Sequence, residues 1–185
     1  MTVLEVDILS NATVTANPAD RCYHCKRSIF SSILAQAKDD GYSLVIDGSN
    51  ASDDAGDRPG MRALRELEVR SPLRECGLTK ADVRRLSREA GLPTWDKPAY
   101  ACLATRVPTG TPLRAEILAA VEKAEGALAA MGFRDFRVRV QEGALVQVTE
   151  SQLPLARERW EALQAVLIPL FGKATLDPTP RTPSL

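Results

Sequence analysis

No run of apolar residues in this chain approaches the roughly 20 needed to cross a bilayer, and no basic stretch followed by a hydrophobic one opens it. Neither a membrane span nor a secretory leader is expected, and a cytoplasmic setting is. Surplus charge is missing too. Lys plus Arg number 24 and Asp plus Glu number 24, so no bulk field draws the chain toward nucleic acid or an anionic membrane. Aromatic residues make up 5%, and no basic or aromatic platform is evident, which argues against an RNA substrate. The four cysteines, Cys22, Cys25, Cys76 and Cys102, are too sparse for a secreted disulfide framework and are expected to be reduced. Only one Cys-x-x-Cys pair is present, so a closed zinc site lacks its second knuckle. No internal repeat is evident. Within these limits, 185 residues at 44% hydrophobic and 26% charged suit one good core or two small ones.

What is present alternates between strand-like and helix-like patterning. Val3 to Leu9 sets apolar residues around Glu5 and Asp7 and reads as a strand; Lys26 to Gly41 carries Ile29, Phe30, Ile33, Leu34 and Ala37 at helical spacing; Ser43 to Asp47 reads as a second strand. Strand, helix, strand suggests a crossover on a parallel sheet, where ligands bind beyond the strand ends, here at Asp47-Gly48-Ser49-Asn50. Helices are expected over Pro59 to Leu67 and Lys80 to Ala90, the latter with Thr79 and Asp82 as a capping box. Residues 93 to 112 read as an ordered loop. Leu113 to Met131 is amphipathic, with Ile117, Leu118, Val121, Leu128 and Met131 toward a core. Phe133 to Val140 and Ala144 to Thr149 form a hairpin, Ser151 caps a helix to about Leu170, and Lys173 to Leu176 returns as a strand. The Pro-rich residues 177 to 185 read as a loose tail.

Four clusters carry chemistry. Cys102 lies in Trp95-Asp96-Lys97-Pro98-Ala99-Tyr100-Ala101-Cys102-Leu103-Ala104-Thr105-Arg106, four residues from a permanent cation. A nearby guanidinium favours the thiolate, the form that attacks electrophiles, although a lone cysteine is more often a small buried hydrophobe. Cys22 and Cys25, flanked by Arg21 and Lys26, sit at a helix start that suits a phosphate or carboxylate, with two buried thiols as the alternative. The loop from Asp47 to Gly60 packs four acids and an arginine, and Asn50 and Asp53 within it are placed to meet a nucleotide or magnesium unless the loop is simply solvated. Arg137 and Arg139 fall on one face of a strand, an arrangement that suits an anion or exposure to water.

Taken in order, Asn17-Pro18-Ala19-Asp20-Arg21-Cys22-Tyr23-His24-Cys25-Lys26, the Asp47 to Gly60 loop, Ser71-Pro72-Leu73, Gly77-Leu78-Thr79-Lys80, Gly91-Leu92-Pro93-Thr94-Trp95-Asp96-Lys97-Pro98 and Cys102-Leu103-Ala104-Thr105-Arg106 resemble the LarE family of ATP-dependent sacrificial sulfur transferases. The resemblance implies α/β architecture: a truncated parallel-sheet domain of the adenine nucleotide alpha hydrolase-like, PP-loop kind over residues 1 to 108, a smaller α+β substrate or oligomerisation domain over 109 to 176, and the tail. It implies that MgATP adenylylates a carboxylate of a pyridinium dicarboxylate mononucleotide, and that a cysteine attacks and surrenders its sulfur, leaving dehydroalanine. The product supplies a nickel-pincer nucleotide cofactor.

By the same resemblance, Cys102 matches the sacrificial cysteine, Arg106 an arginine near the substrate, Glu125 an acid at the reaction centre, and Arg137 with Arg139 the pair that holds substrate phosphate. Some relatives hold an iron-sulfur cluster, for which Cys22, Cys25 and Cys102 are candidate ligands; Arg21, Lys26, Asn50 and Asp53 are candidates for the nucleotide. The family's Ser-Gly-Gly-x-Asp-Ser phosphate loop has no counterpart here. The chain is therefore expected to be a LarE-type transferase missing its amino-terminal ATP segment, either because it is a fragment or because a partner supplies that segment, and to associate as a homo-oligomer or with a complete LarE subunit. The alternative is a non-catalytic remnant that binds nucleotide or joins a complete subunit.

Overall fold

A computed structural model describes residues 2–53 and 58–183. The chain divides into two units, Met1–Lys97 and Pro98–Leu185.

The first unit is built of helices α1 (Ala12–Thr15), α2 (Arg21–Asp39), α3 (Pro59–Glu66), α4 (Pro72–Glu75) and α5 (Lys80–Glu89). Helix α2 packs along α3 around Tyr23. Its hydroxyl donates to Glu66 Oε2 at 2.6 Å, and the Arg62 guanidinium lies 4.1 Å from its ring centroid. Ala63 and Leu64 are buried on the facing side of α3. Gly60 lets α3 sit close to α2, since a Cβ there would lie 3.2 Å from the stem of Lys26, which would have to shift to admit it. Asn11 caps α1 through the N–H groups of Thr13 and Val14, and Thr79 with Asp82 closes the expected capping box on α5.

The second unit holds helix α6 (Ala115–Ala130), strands β1 (Arg137–Gln141) and β2 (Gly143–Gln147), helices α7 (Leu153–Glu158) and α8 (Trp160–Phe171), and strand β3 (Ala174–Leu176). Strands β1 and β2 form an antiparallel hairpin, and β3 joins β2 in parallel, giving the order β1-β2-β3. Val138, Ala144, Val146 and Val148 line one face and pack with Leu128, Leu163 and Leu167 of the helices, a contiguous core from which water is excluded. Gly143 turns the hairpin at φ +131, and a Cβ there would lie 2.6 Å from the Lys173 carbonyl, so the β2–β3 approach requires glycine.

Several expectations need correction. Val3 to Leu9 forms no strand; a short 3-10 turn spans Ile8–Ser10 and Val3 is exposed. Ser43 to Asp47 makes only an isolated parallel bridge, Ile46 to Arg70, so the crossover sheet is not formed among the described residues. Period-two patterning needs a neighbouring strand to satisfy its backbone, and none pairs with residues 3–7 here. Helix α2 begins at Arg21, five residues earlier than expected. The helix after Ser151 is broken into α7 and α8 at Arg159.

The division between units precedes residue 108, because Arg106 and Val107 are buried with the second unit. The tail is not loose through Arg181. Asp177 and Arg181 donate their N–H groups to Val146 and Val148, and Arg181 pairs with Asp135. Ser184 and Leu185 lie outside the described residues.

Candidate functional site

Cys102 is exposed and immediately precedes the 3-10 turn Leu103–Arg106. The turn is closed from within. Thr105 donates both its backbone N–H, at 3.0 Å, and its hydroxyl, at 2.7 Å, to the Cys102 carbonyl. Arg106 then turns inward and donates through Nε to Glu125 Oε1 at 2.6 Å and through Nη2 to Oε2 at 3.0 Å. Glu125 shares the inner face of α6 with Val121, Ala124 and Leu128, which explains why it is only 2% exposed. A carboxylate so placed needs donors for both oxygens, and the Val138 N–H adds a third at 2.9 Å.

The charge of Arg106 is thus balanced by Glu125. It does not stand free beside the thiol, as the four-residue spacing suggested. Tyr100 lies beside this pair, its ring centroid 5.6 Å from the Arg106 guanidinium. Burial, and then the Glu125 carboxylate, push the Tyr100 phenol up from its ordinary value.

Arg137 and Arg139 do share a strand face, opposite Val138. Both already have protein acceptors. Arg137 donates to the carbonyls of Phe136 and Ala99, each at 2.6 Å, and lies 3.9 Å from Asp135. Arg139 donates to Gln147 Oε1 at 2.6 Å and to the Thr105 carbonyl at 3.1 Å. Burial, then the nearby Arg181 and Arg106, lower the pKa of Arg137 from its ordinary value, so the group carries its charge in cationic company.

The first unit has its own cleft, of about 450 Å³, lined by Cys22, Lys26, Asp47, Ser49, Asp53 and Arg58 among others. Two of its candidates spend their carboxylates on loop structure. Asp47 accepts from the Ser49 N–H and hydroxyl and from Ser71 Oγ at 2.6 Å, and Asp53 accepts from the Asn50 N–H at 2.9 Å. Burial opposes ionisation of Asp47, yet these bonds and the Lys26 charge outweigh it and hold the carboxyl below its ordinary value.

Lys26 lines this cleft, whereas Arg21 bonds Asn17. Asn50 turns its side chain to the Ser52 N–H. Asp54 and Asp57, two of the four acids in the loop, lie outside the described residues. Cys22 and Cys25 lie in the first unit and Cys102 in the second. Two thiols are half of the set that an iron-sulfur cluster takes, and no group of three or more Cys, His, Asp or Glu is placed to hold a metal among the described residues.

Tyr100, Thr105, Asp135, Arg181, Ser71 and Arg58 enter these two sites without having been assigned a site role from sequence. Tyr100 carried a signal, as one of three tyrosines and only two residues from Cys102. Asp135 and Arg181 carried none, because they meet across 46 residues.

Comparison with known proteins shows what the chain is similar to. Over 152 residues, 82% of this chain, the sequence is 35% identical to the pyridinium-3,5-bisthiocarboxylic acid mononucleotide synthase of Lactiplantibacillus plantarum, covering 54% of that protein. Over the span that aligns, this chain resembles the LarE family. A Synechocystis protein of uncharacterised function is 38% identical over 152 residues, 82% of this chain and 57% of its own length. A Methanocaldococcus jannaschii protein, also uncharacterised, is 26% identical over 162 residues, 87% of this chain and 64% of its own. No protein-family model matches. The chain spans about half to two thirds of the length of these relatives. No described helix is long and apolar enough to cross a membrane.

Proposed function

We propose that this chain supplies the sulfur in a LarE-type transfer to a pyridinium dicarboxylate mononucleotide, with Cys102 as the donor. The observation that carries the reading is the setting of Cys102: an exposed thiol on a segment bracketed by Arg106, Arg137 and Arg139, in a chain 35% identical to a protein named for that product. In the proposed chemistry the Cys102 thiolate attacks the acyl carbon of the adenylylated carboxylate and AMP leaves with the electron pair of the broken C–O bond. A proton is then lost from the Cys102 Cα and the Cβ–Sγ bond breaks. The sulfur stays on the substrate as a thiocarboxylate, and the residue becomes dehydroalanine.

The protein's part is to hold oxyanions and orient the thiol. Arg137 and Arg139 are cations on one strand face, suited to a phosphate monoester, and Arg106 is fixed by Glu125 beside the turn that carries Cys102. In this reading Glu125 acts through Arg106, because its own oxygens are buried. Lys26 and Arg58 of the first-unit cleft offer cations to nucleotide phosphate. The acids there are committed to Ser49, Ser71 and Asn50, so the cleft as folded suits phosphate oxygens better than it suits magnesium. With no Ser-Gly-Gly-x-Asp-Ser run among these 185 residues, activation draws its remaining phosphate donors from this cleft or from polypeptide outside them.

The test is sulfur incorporation into the mononucleotide in the presence of MgATP and a complete LarE subunit whose own sulfur-donating cysteine has been replaced by alanine. The chain is expected to support it and Cys102→Ala to abolish it. Equal incorporation by both would reject Cys102 as donor and leave the chain a non-catalytic partner.

A further inference from the structure

The arginines that face an anionic substrate in this reading are, in the protein as folded, spent on the backbone that carries the thiol. Arg137 donates to the Ala99 carbonyl at 2.6 Å, three residues before Cys102. Arg139 donates to the Thr105 carbonyl at 3.1 Å, three residues after it. Arg106 reaches Ala101 O at 3.4 Å and Thr105 Oγ1 at 2.8 Å, while Thr105 closes back on the Cys102 carbonyl. Arg106 is committed to a buried carboxylate, but the acceptors that the segment offers Arg137 and Arg139 are neutral carbonyls. A phosphate dianion is the stronger acceptor for a guanidinium, and its geometry accepts two N–H groups at once.

We propose that Arg137 and Arg139 are positioning residues for Cys102, tethering its segment through Ala99 and Thr105 in the free protein and releasing it when a phosphate group takes over their donors. The proposal rests on the reading of Cys102 as the sulfur donor and adds to it an order of events. The thiol gains freedom to reach an acyl carbon only when the phosphate end of the substrate is bound. Asp135 supports the device from behind. It lies beside Arg137 and is itself paired with Arg181 on the segment that follows β3, so Arg137 is held at the strand while its outer donors change partners. The consequence is protection of a consumable cysteine. An exposed thiol that is used once gains from being held in place until its substrate has arrived.

The experiment alkylates the native full chain with iodoacetamide and compares the rate at Cys102 with that at Cys76 by peptide mass. Cys76 is exposed and belongs to the first unit, so it reports general effects of the added salt. Inorganic phosphate is the probe, against chloride at equal ionic strength, and its binding is followed in parallel by calorimetry. Saturating phosphate is expected to raise the Cys102 to Cys76 ratio roughly tenfold, about the worth of one charge-assisted hydrogen bond. Arg139→Ala, a change at a half-buried side chain, is expected to raise the ratio without phosphate and to abolish the response.

The sign is diagnostic. An anion that bound nearby without releasing the segment would disfavour the thiolate and slow alkylation. Phosphate that binds while the ratio stays level or falls overturns the tether and leaves the donor reading standing. Binding undiminished by Arg139→Ala places the anion elsewhere and also overturns the tether. Absence of phosphate binding removes the anion site from the donor reading, and the tether with it.

Discussion

The two units handle apolar surface differently. In the second, strands β1, β2 and β3 alternate their side chains onto helices α6 and α8, and Val138, Val146, Leu163 and Leu167 are sealed from water. In the first, the extended segment at Ser43 to Asp47 has the same apolar composition but leaves Leu44 56% and Ile46 58% exposed, with Tyr42 exposed beside them. Both had the pattern of strands in the sequence. What separates them is the neighbour: β1 exchanges backbone hydrogen bonds with β2 along five paired positions, whereas residues 45 and 47 reach only Arg70. A strand is a property of a pair, and patterning alone proposes only half of one.

The comparison is most strongly challenged at Glu125. Removing the carboxylate with Glu125→Ala strands the Arg106 guanidinium and the Val138 N–H in a buried place, and about 3–5 kcal/mol of second-unit stability should be lost. Hydrogen exchange resolved by peptide is the measurement. The loss should be confined to residues 98–183, and an equal loss of protection in α2 and α3 would show that the units do not melt separately. A smaller effect, about 1 kcal/mol, is expected in the first unit from Thr79→Ala, which removes one side of the α5 capping box. Its signature is faster exchange at the first turn of α5 with the second unit unchanged.

The smallest effect concerns pH. Asp47 has a lowered pKa in the folded chain, so its contribution is present above the unfolded carboxylate range and lost as pH falls through the folded value. Asp47→Asn should therefore melt earlier than the parent chain at pH 7, and the gap should narrow as pH drops below about 4, which thermal scans across that range would show.

Much of the second unit was legible because its signals are local. The amphipathic run from Leu113, the hairpin around Gly143 and the return strand at Ala174 each announce themselves within a few residues. The candidate site was legible at its residues and not in their partners. Cys102, Arg106 and the Arg137–Arg139 pair stand out by type and spacing, yet nothing in spacing says that Arg106 closes on a carboxylate 19 residues away or that Arg137 reaches back 38 residues to Ala99. The tail was misread for a related reason: prolines do bar a central strand, but they do not prevent an edge segment from running along β2 when Arg181 has Asp135 to hold. Long-range acceptors, unlike periodicity, are set by the fold as a whole.

The central claim is that the sulfur of Cys102 leaves the protein. Its most direct measurement is the mass of the Cys102 peptide after incubation of the chain with MgATP, the pyridinium dicarboxylate mononucleotide and a complete LarE subunit whose own sulfur-donating cysteine has been replaced by alanine. The account predicts loss of one hydrogen sulfide from that peptide alone, matched by one sulfur gained in the nucleotide for each chain altered. Sulfur appearing in the nucleotide while every Cys102 remains intact would contradict it.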